Sequence, residues 1–208
     1  MRSAKRIIAI VLSLIMLASV SAFAAASIIS PVRNSIVYSD SLLVSVKVSD
    51  AENVRISVYE KKDSKQVEVK NDKGVTEKKT QYFPVDVKDF TEDDIALIAA
   101  GKLVDEKGEA VLLSTGEKVK RYTDFSYCEA ETFKNETGIS FYTRQIPDVT
   151  PGLYRIKIEL LDSEGLVKSV SSNIVAVKDK ELAPQDDVLS GQQNAVTVIQ
   201  NLIKYIFK

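Results

Sequence analysis

Residues 147–165, PDVTPGLYRIKIELLDSEG, decide how the rest of the chain is read. Thr150-Pro151-Gly152 forms a tight corner, because Pro151 fixes one backbone angle and Gly152 permits a positive one. Tyr154, Ile156, Ile158 and Leu160 then alternate with Arg155, Lys157 and Glu159. A period of two is the mark of a strand with one buried face. Tyr154 stands where its ring enters the core while its hydroxyl returns to a backbone group near the corner, an arrangement known as a tyrosine corner. Asp162-Ser163-Glu164-Gly165 then turns the chain into a last strand over 167–177.

The same grammar appears at the other end of the chain. Leu42, Val44, Val46 and Val48 share one face, opposite Leu43, Ser45 and Lys47. After a polar break at 50–52, Val54, Ile56 and Val58 resume the alternation, which predicts a hairpin or a pair of strands that changes sheets. Before them, 28–30 and 36–38 read as a short first strand broken by Pro31, and a residue without an amide hydrogen suits a sheet edge. Near the C-terminal side Ile139 and Phe141 alternate with Ser140 and Tyr142. Six strands separated by polar turns, with no strong helix among them, predict an antiparallel sandwich. SPVRNSIVYSDSLLVSVKV at 30–48, followed much later by VTPGLYRIKIELLDSEG and SNIVAVKDK, resembles bacterial immunoglobulin-like and fibronectin type III-like domains of exported proteins. The resemblance covers 28–60 and 138–178 and implies a mostly β, antiparallel immunoglobulin-like sandwich.

Residues 61–137 depart from that pattern and are too long for an ordinary connection. KKDSKQVEVKNDKGVTEKKTQ is charged, and 71–74 reads as a hairpin tip. Residues 81–87 read as a further strand, at an edge because of Pro84. Thr91 caps a helix over 92–100 with acidic residues in its first turn, and Gly101 stops it. Ile95, Leu97, Ile98 and Ala99 give that helix a docking face. Gly-marked turns at 106–108 and 114–116 bracket the apolar run 110–113, so the expectation is a folded α+β insertion. Tyr82, Phe83, Tyr122, Phe125 and Tyr127 are its candidate contact aromatics, with packing inside the insertion as the alternative.

The first residues, MRSAKRIIAIVLSLIMLASVSAFA, set Arg2, Lys5 and Arg6 before an apolar run that closes on Ala22-Phe23-Ala24. That is the three-part pattern of a signal peptide, 1–24. A retained N-terminal anchor is the alternative, since about 20 apolar residues span a bilayer. Cleavage there leaves 25 basic and 29 acidic residues, a charge of −4. Nothing in that balance suggests nucleic acid, whose readers cluster Lys and Arg. The sandwich with its insertion then occupies 25–178, and 179–190 form a polar linker containing Pro184. Residues 191–208 form an amphipathic helix, with Ser190 to Gln193 able to form a capping box at its start. Its apolar stripe, including Ile199, Leu202, Ile203, Ile206 and Phe207, is the candidate partner-binding surface. Three roles suit the stripe: packing on the sandwich, pairing with itself or another protein, and peripheral membrane contact.

The chain has no histidine, which excludes imidazole-dependent triads, metal sites and proton shuttles. The lone Cys128 has no intramolecular disulfide partner and reads as a small buried residue. Glu92, Asp93 and Asp94 are the densest acidic cluster and read as a solvated helix N-terminus. Neither they nor Asp186-Asp187 have the spacing of a calcium loop. Asn135-Glu136-Thr137 matches a glycosylation sequon by three residues only. The expectation is a non-enzymatic exported binding, structural or adhesion module, needing no cofactor, outside the cell or in its envelope, with a protein or envelope partner. Two alternatives stand beside it: a polysaccharide-active protein using carboxylates, and an assembly subunit joined through its last helix.

Overall fold

The computed structural model describes residues 26–49, 53–70, 76–136 and 138–183. It is mostly β, with one α-helix and two sheets among the described residues. A three-stranded sheet has the order β1 (Ala26–Ser30), β3 (Leu42–Ser49), β8 (Ile139–Ile146). The larger, seven-stranded sheet runs β2 (Ile36–Tyr38), β10 (Val167–Lys178), β9 (Gly152–Leu161), β4 (Asn53–Lys70), β5 (Thr76–Pro84), with β6 (Thr123–Ser126) and β7 (Glu131–Lys134) also paired to β4. The expected signal peptide at 1–24, the expected turn at 50–52 and hairpin tip at 71–74, most of the expected linker and the expected helix at 191–208 lie outside the described residues.

Both alternating stretches at the two ends of the chain enter one apolar cluster. Leu42, Val44, Val46 and Val48 of β3 meet Val54, Ile56 and Val58 of β4 and Tyr154, Ile156 and Ile158 of β9 there. The strands β3 and β4 belong to different sheets, so the break between them is a change of sheet and not a hairpin. The first strand divides in the same way. β1 pairs with β3 at one edge, and β2 pairs parallel to β10 at an edge of the other sheet, with a cis Ser30–Pro31 peptide between them. In β8 the parity differs from a reading that puts Ile139 inward. Tyr142 stands opposite Val46 and packs on the cluster, while Ile139 is 56% exposed.

The tyrosine contact of the corner forms, but Gly152 opens β9 without a positive φ, and the left-handed residue before the corner is Asp148, at φ 55. Tyr154 is fully buried and its hydroxyl donates to the Thr150 carbonyl at 2.8 Å. Its ring meets Tyr127 edge-on, centroids 5.3 Å apart, a favoured aromatic geometry.

A second apolar cluster covers the opposite face of the large sheet. Leu153 of β9 and Ile174 and Ala176 of β10 point there, against Val85, Val87, Phe90, Ile95, Ile98, Leu113 and Val119. Gly152 to Tyr154 and Ile174 to Val177 are therefore buried on both faces, and their unbroken apolar character follows from that. The predicted strand at 81–87 ends at Pro84, after which Val85 and Val87 turn into this cluster.

The helix α1 (Glu92–Ala100) has the predicted ends. Thr91 and Asp94 form a capping box, and Gly101, at φ 64, takes the left-handed cap that glycine adopts without a Cβ clash. Ile95 and Ile98 bury its inner face. Beyond it the chain repeats every eight residues. Val111 bonds back to Leu103 and Val119 to Val111, while Asp105–Glu109 and Leu113–Glu117 close equivalent turns around Gly108 and Gly116. Lys178, buried at the end of β10, donates to the carbonyls of Lys88 and Phe90 at 2.8 Å each, tying this segment to the sheet. Burial pulls its pKa down, against the charges of Asp89 and Asp94.

Two substitutions test the corner and the second cluster. Tyr154→Phe removes a buried hydrogen bond and is expected to lower the unfolding free energy by about 1–2 kcal/mol. Leu153→Ala is expected to cost about 2–5 kcal/mol, the range for buried large-to-small changes. Urea titration with an unchanged slope checks both, and a Leu153→Ala loss below the Tyr154→Phe loss would contradict a packed second face.

Candidate functional site

Where β9 ends, β4 continues. Residues 53–61 of β4 pair with β9, and 62–70 pair with β5, so one 18-residue strand runs from the body into a two-stranded arm. Lys61, where the insertion was expected to begin, lies inside that strand. Every residue of β5 is exposed. Thr, Val, Tyr and Phe favour the extended backbone here, and cross-strand pairs fix the register. Glu68 stands opposite Lys78, and the Gln66 side-chain amide donates to Thr80 at 2.9 Å.

Four of the five candidate aromatics gather where the arm leaves the body. On one face Tyr82 meets Phe125 edge-on at 4.9 Å, and Lys62 lies 5.4 Å from the Phe125 ring while pairing with Glu60 at 3.0 Å. On the other face Lys65 lies over Phe83, and Lys120 bridges Asp63, at 2.6 Å, to the ring of Tyr122. A cleft of about 220 Å³ opens there, lined by Asp63, Lys65, Pro84, Asp86, Glu117 and Tyr122 among others. Tyr82 and Phe83 remain 45% and 37% exposed, in contrast to aromatic rings placed for packing alone. Burial, then the charges of Asp63 and Glu117, push the Tyr122 phenol up to about 12.

The fifth aromatic belongs elsewhere. Tyr127 packs on the main cluster and donates its hydroxyl to the Asp148 carbonyl at 2.9 Å, so it serves the corner and not the arm. The polar side of the opening stretch, in turn, joins the arm's root in a charged strip. Tyr59 lies between Arg155, 4.9 Å away, and Lys157, 5.8 Å away. Asp124 pairs with both Lys61 and Arg155, and Glu159 with both Arg55 and Lys157. Arg155, Lys157 and Glu159 were read only as the polar half of an alternation, and the other residues of the strip were not singled out. Charges recurring at every second position in two strands, brought side by side, were the available signal.

The acidic cluster also differs from expectation. Glu92 and Asp93 are exposed, but Asp94 is 1% exposed. Its carboxylate accepts from the backbone and hydroxyl of Thr91 and from those of Ser114, so it joins the helix cap to the second glycine turn. Burial works to raise its pKa, and the hydrogen bonds together outweigh this and lower it. Glu159 is lowered too, chiefly by its hydrogen bond from Arg55. Both are held ionised, the opposite of what a general acid requires.

Among the described residues no group of three or more His, Cys, Asp and Glu side chains is placed to hold a metal ion. Asn135 of the sequon is 4% exposed and donates its amide to the Gly138 carbonyl at 2.9 Å, which leaves it no room for a glycan. Cys128 is half-buried, and burial pushes its thiol pKa up. Ile199, Leu202, Ile203, Ile206 and Phe207, together with Asp186-Asp187, lie outside the described residues. No protein-family model, no curated protein and no solved structure matches this chain.

Asp94 has a pH signature. Its folded pKa lies below the unfolded value, so its stabilisation is present above the unfolded carboxylate range and is lost as pH falls through the folded pKa. Asp94→Asn is expected to cost about 2 kcal/mol at neutral pH, as for hydrogen bonds to a charged group, and to flatten the acid limb of stability against pH. Denaturant titrations across the acid range measure it; an acid limb parallel to wild type would rule out the assigned role.

Proposed function

We propose that this chain is an exported, non-enzymatic immunoglobulin-like module of the bacterial cell surface, and that it binds its partner through the β4–β5 arm. The immunoglobulin-like reading is supported by the tyrosine corner, by the first strand shared between two sheets, and by one core drawn from both sheets. Export is supported by the signal-peptide pattern at 1–24. The observation that carries the binding role is the pair Tyr82 and Phe83, exposed on opposite faces of a ribbon whose root is packed and ion-paired. Exposed aromatics on a rigid support are the residues that dominate binding energy at interfaces.

Retention of the mature chain on isolated cell-envelope fragments tests this. Tyr82→Ala with Phe83→Ala is expected to weaken retention about tenfold or more, since anchor residues each contribute more than about 1–2 kcal/mol. Circular dichroism should still show the folded body, because neither side chain belongs to an apolar cluster. Undiminished retention would remove the arm from the interface. Release of soluble saccharides from the fragments by the purified chain would favour the polysaccharide-active alternative instead.

A further inference from the structure

Past the end of β10 the chain runs along a groove. A 3₁₀ turn, Lys180–Leu182, is closed by the amides of Leu182 and Ala183 on the carbonyls of Asp179 and Lys180. It sets Leu182 where two adjoining cavities of about 450 and 440 Å³ meet. Both are lined by Pro151, Lys178, Asp179 and Leu182; Asp40 and Val149 help to complete one, and Pro84, Val85 and Val87 the other. Leu182 is 44% exposed, and Pro84 and Pro151 are exposed as well, so the groove turns apolar walls to water.

The exposed rim of the groove is acidic. Asp40, Asp86, Asp179 and Glu181 stand against Lys88 and Lys180, two positive charges against four negative, or −2. The ammonium of Lys178 does not change this balance at the rim, because it is buried on the carbonyls of Lys88 and Phe90 with the charges of Asp89 and Asp94 near it. The chain leaves Ala183 at this place. Residues 184–190, PQDDVLS, hold both remaining acids, while 191–208, GQQNAVTVIQNLIKYIFK, hold Lys204 and Lys208 and no acidic side chain, or +2.

We propose that 191–208 fold back as a helix and dock in this groove, with the stripe of Ile199, Leu202, Ile203, Ile206 and Phe207 against its apolar walls. Of the three roles open to the stripe, this is packing on the chain's own body, and three observations select it. The tether is short: a linker the length of 184–190 averages about 15 Å and reaches at most about 25 Å, so the helix begins beside the groove. Its effective concentration there is on the order of millimolar, which a helix from another copy does not have. The charges match, +2 on the helix against −2 on the rim, which favours this partner and steers its approach. The chemistry also matches, since an amphipathic helix laid in an apolar groove buries its stripe and leaves its polar side in water. Pro84 and Asp86 line the cleft at the arm's root too, so the docked helix lies next to that root.

Carbodiimide coupling joins an amine to a carboxylate only where the two touch, and it tests the contact on the purified chain. An equal mixture of isotope-labelled and unlabelled protein is coupled and read by mass spectrometry, which separates links within a chain from links between chains. Links from Lys204 and Lys208 to Asp40 and Asp86 are expected within one chain. They should be several-fold more abundant than links from the same lysines to Glu92 and Asp93, exposed acids outside the groove. Leu202→Asn with Ile206→Asn leaves the charge unchanged and should reduce the groove links several-fold while circular dichroism still shows the folded body. Equal coupling to the groove acids and to Glu92 and Asp93 overturns the proposal, as expected of a helix that seeks a membrane instead. So does coupling mainly between labelled and unlabelled chains, the mark of a helix that pairs two copies. Groove links that survive both Asn substitutions overturn it as well.

Discussion

Where β9 begins and β10 ends, the large sheet has no face it can show to water. Tyr154, Val175 and Val177 project to one side, and Leu153, Ile174 and Ala176 to the other, all of them buried. Burying such side chains stabilises the fold by roughly 1.5–3 kcal/mol each, so both sides need a cover. The three-stranded sheet supplies one. The segment from Val85 to Val119, with its short helix and eight-residue turns, supplies the other. The long excursion between β5 and β6 is thus a requirement of the sheet's own sequence, and the polar contacts of Lys178 and Asp94 hold the cover in place.

The arm is the counterpart of this constraint. Beyond Lys61, β4 has neither β9 beside it nor an apolar layer above or below it, and its side chains change accordingly from Val and Ile to Lys, Asp, Gln and Glu. Eight residues from Asp63 to Lys70 extend about 25 Å at strand spacing. A ribbon of two strands is marginal by itself. Here it is continuous with a strand anchored in the main core, and at its root ion pairs and ring contacts brace both faces. That rooting lets exposed aromatics be held in a defined place, as a binding surface needs.

Much of this was legible locally. The alternation in 42–48, 54–58 and 154–160, the closure of Tyr154 onto Thr150 and the ends of the helix at Thr91 and Gly101 each depend on a few neighbouring residues, and each is found as read. The misreadings share a cause. Inside β8, Ser140 and Tyr142 face the core in place of Ile139, because pairing with β3 and not side-chain polarity sets the phase of that strand. Asp94 was taken for a solvated first-turn acid, and a turn twenty residues away removes it from water. The arm's aromatics were picked out by type, yet Tyr127 differs from Tyr82 only in what lies across from it.

By itself the sequence determined the alternating strands at 42–48, 54–58 and 154–160, the ends of the helix, and that chemistry relying on histidine is closed to it, since these depend on residue identity and short-range backbone preference; β6 and β7, four residues each, carry no such alternation and form through their pairing with β4. Only the tertiary structure decided which strands share a sheet and where both faces of that sheet are covered. Those outcomes arise from contacts between residues some hundred positions apart, such as Arg55 with Glu159, whose joint energy no local pattern contains.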